Sequence, residues 1–202
     1  MSRMSPIDRR SAIVTAAVAV AVRKGLASTT VRDVAAEMGT SSGLIHHYFD
    51  SMDDVLAAAF EQVAKADLEA SGRQAAAAAT PLAALRSFFA TYTPADKDWA
   101  FQLWLDAWAE AARRPAVRTT SRRLNLAWQG LLEGVIREGV SSGAFACGDP
   151  RGAAWRILSL LDGLALQVVA HGTTIGRDDV IAWTTSAAES ELGLASGALG
   201  HT

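Results

Sequence analysis

A single cysteine, Cys147, only five prolines and no run of alternating β-branched residues set the first limits on this 202-residue chain. One cysteine makes no internal disulfide, and without a second cysteine or a histidine at ligand spacing it is a poor metal site. A disulfide scaffold and a zinc module are therefore not expected, and a reducing cytoplasm is. Scarce proline, absent strand patterning and abundant alanine give nearly every segment a helical preference, which predicts an all-α protein. The marks of chemistry are also missing: there is no glycine-rich phosphate loop, no Gly-x-Ser-x-Gly and no paired metal ligands, and beyond residue 50 the only histidines are His171 and His201. An enzyme and a resident cofactor are accordingly not expected. A helical small-molecule-binding enzyme and a ligand-independent DNA-binding protein stand as the alternatives to the reading below.

Membrane segments are equally lacking. Arg9 and Arg10 before the apolar run Ala12 to Val22 imitate a signal peptide, but Arg23 and Lys24 close the run without a cleavage motif, and the run is too short to cross a bilayer. The later stretch from Leu158 to Ala170 is interrupted by Asp162 and preceded by Arg156. The net charge of −2 does not by itself point to a nucleic acid, yet its distribution does. Six cations (Arg3, Arg9, Arg10, Arg23, Lys24, Arg32) face three acids (Asp8, Asp33, Glu37) within residues 1–49, a surplus of +3 that leaves −5 for the rest.

Punctuation divides the chain into helices. The first is predicted from Asp8 to Lys24, with Ile13, Ala17, Val20 and Ala21 on one face and Gly25 as its stop. Thr30 and Asp33 form a capping pair for a short second helix ending near Gly39; a third reaches Phe49 from Ser41 or Ser42. Ser51 and Asp54 start a fourth, predicted to end near Ser71 and to be followed by a loose alanine-rich connection over 72–79. Thr80-Pro81, Thr93-Pro94, Arg114-Pro115 and Asp149-Pro150 then mark helix starts, giving helices near 81–93, 95–113, 115–142, 150–171 and 177–194. The residues from Ala195 to Thr202 are expected to fray.

The stretch TVRDVAAEMGTSSGLIHHYF, Thr30 to Phe49, has the layout of a helix-turn-helix. Val31, Val34, Ala35 and Met38 share one face of its first helix, and Ile45 and Phe49 share one of its second. Ser42, Leu44, His46, His47 and Tyr48 are left outward, a mixture suited to base edges, phosphates and thymine methyls. His46 and His47 point about 100° apart on a helix and do not jointly grip a metal. Thr29-Thr30-Val31-Arg32-Asp33-Val34-Ala35, Gly39, Gly43-Leu44-Ile45 and Tyr48-Phe49 together resemble the DNA-binding domain of the TetR family, closely from Asp8 to Phe60. LIHHYF, WLDAWAEAARRPAVR and LLDGLALQ are similar to its BetI-like branch. The resemblance implies a DNA-binding domain over 1–50 and a ligand-binding, dimerising domain over 51–202. It implies a recognition region from Thr40 to Tyr48 (Thr40, Ser41, Ser42, Gly43, Leu44, His46, His47, Tyr48), with Thr30 near the phosphates. Two positions depart from the family: Thr40 replaces an aliphatic residue, and Met52 replaces a lysine that commonly meets a phosphate.

In the body, Phe101, Trp104, Leu105 and Trp108 recur on one helical face, which is expected to be buried. With Phe88, Phe89, Tyr92 and Trp128 these aromatics are candidates to line an effector cavity, although each also suits plain core packing. Tryptophan faces can hold quaternary ammonium groups, which makes a cationic effector one candidate class. The segment Ala153 to Val169 is apolar on nearly every side, so a second subunit is expected to cover part of it. By the family resemblance Ile157, Leu161, Leu164 and Val168, with Val180, Trp183 and Ala187, pair with their copies in a homodimer that binds a double-stranded operator and a small-molecule effector.

Overall fold

The computed structural model describes residues 5–92, 98–172 and 174–200. Among these residues there are nine helices and no strand: α1 (Pro6–Lys24), α2 (Val31–Glu37), α3 (Ser42–Tyr48), α4 (Met52–Ala77), α5 (Pro81–Ala90), α6 (Asp98–Ala111), α7 (Pro115–Ser141), α8 (Pro150–Val169) and α9 (Arg177–Glu191). The boundaries follow local chemistry. Ser5, Thr30, Ser51, Thr80 and Asp149 each turn a side-chain oxygen onto the amide three residues ahead, satisfying a donor that the helix start leaves open. Proline stands at the start of α1, α5 and α8, where its missing N–H is no loss. The expected helix start at Thr93-Pro94 lies outside the described residues.

Two expectations about loose segments are corrected. The alanine-rich stretch continues α4 to Ala77, because alanine is the strongest helix former and no breaker intervenes. The C-terminal segment is docked up to residue 200: the amides of Gly197 and Leu199 donate to the Glu189 carboxylate at 3.0 and 2.7 Å, and Arg86 donates to the Ala198 carbonyl at 3.0 and 2.6 Å. Leu199 is buried. Small residues there favour a tight turn, which composition does not distinguish from fraying.

The chain packs as two compact units, one of residues 1–66 and 99–124, the other of 67–98 and 125–202. The first holds the helix-turn-helix together with α6. Its apolar centre is built from Ile13, Val14 and Ala17 of α1, Val34 and Ala35 of α2, Ile45 of α3, Phe49, and Val55 and Ala59 of α4. The second is organised around α8 packed on α9. By length and composition α8 is apolar enough to cross a membrane, yet it carries Arg156 and Asp162, and Ala153, Ala154, Ile157, Leu158 and Leu161 are buried within this chain.

Candidate nucleic-acid and effector sites

The helix-turn-helix is assembled from its apolar positions outward. Val34, Ala35 and Ile45 are almost fully buried, and Val31, Met38, Tyr48 and Met52 pack against them. Thr30 closes a complete capping box: its hydroxyl accepts the Asp33 amide and donates to the Asp33 carboxylate at 2.6 Å, while its own amide donates back at 3.0 Å. Lys24 lies 2.7 Å from the same carboxylate, and its pairing, reinforced by Thr30, pulls the Asp33 pKa down to about 2. Between α2 and α3 the chain reverses at Gly39, whose φ of 62° is one that side chains rarely adopt.

This frame presents α3. Thr30, Ser41, Gly43, His46 and His47 are exposed, Thr40, Ser42, Leu44 and Tyr48 are half-buried, and Ile45 points inward. His47 stands edge-on to the Tyr48 ring at 5.1 Å, which limits its swing. Arg10 lies over the Phe49 ring at 4.3 Å, tying α1 to the end of α3. The local cationic surplus is partly neutralised internally, since Arg23 pairs with Glu37 and Lys24 with Asp33. Among the described residues Arg9 and Arg32 make no ion pair and remain for a polyanion. Met52 is half-buried against the core.

The aromatic candidates divide between the two units. In the first, Trp104 meets Phe60 of α4 edge-to-face at 4.7 Å, Trp108 lies 5.7 Å from Trp104, and Phe101 6.0 Å from Trp108. The expectation that this face of α6 is buried is corrected: Ala100, Leu103, Ala107 and Glu110 are buried, and Phe101, Trp104, Leu105 and Trp108 are half-buried. In the second unit Phe88 contacts Phe89, Tyr92 and Trp128 at 5.7, 5.9 and 6.0 Å, and Tyr92 lies 6.4 Å from Trp128.

Sequence reading missed the acids beside this second cluster. Desolvation, then the nearby negative charges of Asp162 and Asp67, push the Tyr92 phenol well above its ordinary pKa. Burial alone raises the Asp162 carboxyl to about 7. An electron-rich aromatic group next to a poorly solvated carboxylate is a place where an organic cation is stabilised twice, by ring faces and by charge. The available signal was Asp162 itself, a lone acid inside an apolar helix, which in sequence reads only as the interruption of a hydrophobic run.

The predicted dimer surface is also revised. Ile157 and Leu161 of α8 and Val180 of α9 are buried within their own chain and unavailable to a partner. Leu164, Val168 and Ala187 are half-buried, whereas Trp183 and Leu160 are 49 % and 38 % exposed.

Residues 13–59 match the family model described as bacterial regulatory proteins, tetR family, and residues 81–193 match that of the BetI-type transcriptional repressor, C-terminal. The HTH-type transcriptional regulator BetI of Paraburkholderia xenovorans (strain LB400) is 30% identical over 171 residues, covering 81% of this chain and 83% of its own. A transcriptional regulator from Saccharomonospora viridis, solved in complex with choline, superposes with a TM-score of 0.81 at 25% identity over 91% of this chain and 96% of its own. A TetR transcription regulator from Haloarcula marismortui shares the fold, with a TM-score of 0.83 at 21% identity over 92% and 99% of the two chains. The helix-turn-helix, the helical body behind it and these matches agree: the chain belongs to the TetR family of ligand-responsive transcriptional regulators, with a C-terminal region of the BetI type.

Proposed function

We propose that the protein is a cytoplasmic, homodimeric repressor that reads a palindromic operator with α3 and releases it when an organic cation binds beside Phe88, Tyr92, Trp128 and Asp162. The observation that carries the effector assignment is the Asp162 carboxylate, held in poor solvation within electrostatic reach of a Tyr92 ring that itself belongs to an aromatic cluster. The choline-bound neighbour supports the same class of ligand. In this reading residues 1–50 bind DNA, with Thr40 to Tyr48 in the major groove and Thr30 against a phosphate, while 51–202 bind effector and partner. The exposed Trp183 and Leu160, with Leu164, Val168 and Ala187, meet their copies across the two-fold axis.

Two α3 helices reach successive major grooves only when held about 34 Å apart. An effector that prefers a conformer with another separation lowers operator affinity by that preference and by no more. Fluorescence anisotropy on the gene's own upstream DNA, with scrambled competitor, tests both halves. Saturable binding to a palindrome is expected, weakened by choline and unaffected by its uncharged carbon isostere 3,3-dimethylbutan-1-ol. Equal effects of the two compounds would remove the cation assignment, and sequence-blind binding would remove the operator assignment.

A further inference from the structure

Helix α1 ends at Gly25, whose φ of 81° turns the chain out of the helix while its amide still bonds to Ala21. The next amide, Leu26, instead donates to Asp106 Oδ2 of α6 at 2.8 Å, across eighty residues of sequence. The other carboxylate oxygen accepts from Gln102 Nε2 at 3.2 Å, which sets the orientation of the group. Leu26 is fully buried, and Thr29 donates its hydroxyl back to the Gly25 carbonyl at 2.9 Å, so residues 25–29 form a stiff turn leading directly into the α2 cap at Thr30. A methyl group on Gly25 would lie 3.2 Å from Asp106 Oδ2, so carboxylate and turn are already in close approach.

We propose that Asp106 is the positioning residue that makes α6 and the turn before the helix-turn-helix move as one body, so that a displacement of α6 is delivered to the recognition helix. A hydrogen bond from a backbone amide to a carboxylate is charge-assisted and directional, and it acts on the main chain, where side-chain rotamers cannot absorb a shift. The other end of α6 is tied differently: Arg114 bridges Glu110 and Asp53 of α4 at 2.5 Å each, a side-chain pairing that two flexible groups can re-form after movement. Beside Asp106 lies a crevice of about 250 Å³ bounded by Ala21, Val22, Gly25, Trp99, Gln102 and Leu103. Water entering there solvates the Leu26 amide when the carboxylate is removed, so the variant folds but loses its rigid connection.

The inference rests on the regulator reading and not on the identity of the effector, because coupling between sites is reciprocal: if α6 moves the turn, operator binding must alter α6. Trp99 in the crevice reports this. In protein carrying 5-fluorotryptophan, with the Trp99 resonance assigned through Trp99→Phe, saturating operator should shift that resonance in the parent and in Asp106→Asn, whose amide oxygen still accepts from Leu26. Asp106→Ala should bind operator within about threefold of the parent by anisotropy while its Trp99 resonance stays still; the threefold bound corresponds to less than about 0.7 kcal/mol. If the alanine variant loses its helical circular dichroism, Asp106→Leu, which fills the space without an acceptor, takes its place. A Trp99 shift that persists without the carboxylate would assign the coupling to Arg114 and Asp53, and a parent resonance indifferent to operator would show that α6 and the turn are not coupled. Either overturns the proposal, whereas absence of operator binding in the parent is read separately by anisotropy and concerns the regulator reading.

Discussion

The helix-turn-helix and the aromatic body place their functional groups by opposite logic. In residues 30–49 the shape of the motif is set by near neighbours, since a capping box starts α2, Gly39 reverses the chain, and Ile45 and Phe49 are the side of α3 turned onto the core that α1 and α4 complete. In the body, the Tyr92 cluster draws on α5, the turn that follows it and α7, and its acids come from α4 and α8. A locally encoded site fails as a unit when its packing is cut. A site assembled from distant helices fails one group at a time, and it can hold a group in an unfavourable electrostatic state because the rest of the fold keeps it there.

The largest expected effect tests the first half of that contrast. Ile45→Ala removes an almost fully buried side chain from the apolar seam that holds α3, at a cost of about 2–5 kcal/mol, and should abolish operator binding while the helical signal of the body survives. Urea unfolding monitored by circular dichroism and anisotropy checks it; retained operator affinity would mean that α3 is positioned by something other than this core.

The next effect tests the second half. Asp162 has its carboxyl raised to about 7 by burial. Between roughly pH 4 and 7 the folded chain therefore holds a proton that the unfolded chain has released, so this group's contribution to stability falls as pH rises through that window and is flat above it. Asp162→Asn removes the penalty. It should raise the melting temperature at pH 8 and leave it unchanged near pH 4, with a gain bounded by about 4 kcal/mol for a shift of that size. The same substitution should cancel the choline response, and choline affinity of the parent should climb as pH rises through 7, because the ionised carboxylate is the form that pairs with a cation. A variant with unchanged pH dependence would place Asp162 in better solvation than its position indicates.

The smallest effect concerns surface charge. Met52 stands half-buried against the DNA-binding core, at a position where the family resemblance implies a lysine. Met52→Lys can keep its stem on that core and send the ammonium to a phosphate, which should steepen the dependence of log affinity on log salt by about 0.9 for each additional phosphate neutralised. An unchanged slope measured from low to moderate salt would mean that the side chain does not reach the DNA backbone.

The sequence by itself determined the helical class, most of the helix starts and the exposure of His46 and His47 on α3, because a cap, a glycine turn and a 3.6-residue period are interactions between near neighbours, whereas Tyr48, read as outward, packs against the core. It also carried the family likeness through Thr29 to Ala35, Gly39 and Tyr48-Phe49. Tertiary structure alone decided which apolar residues are buried within the chain. Ile157, Leu161 and Val180 look identical in sequence to interface residues, yet they are buried within the chain while Leu160 and Trp183 stay exposed. It likewise decided that the aromatics of α6 are only half-buried, that residues 195–200 fold onto Glu189 and Arg86, and that Asp106 meets the Leu26 amide. The reason is common to all four: burial and long-range hydrogen bonding depend on which distant segment arrives, and no local periodicity encodes that.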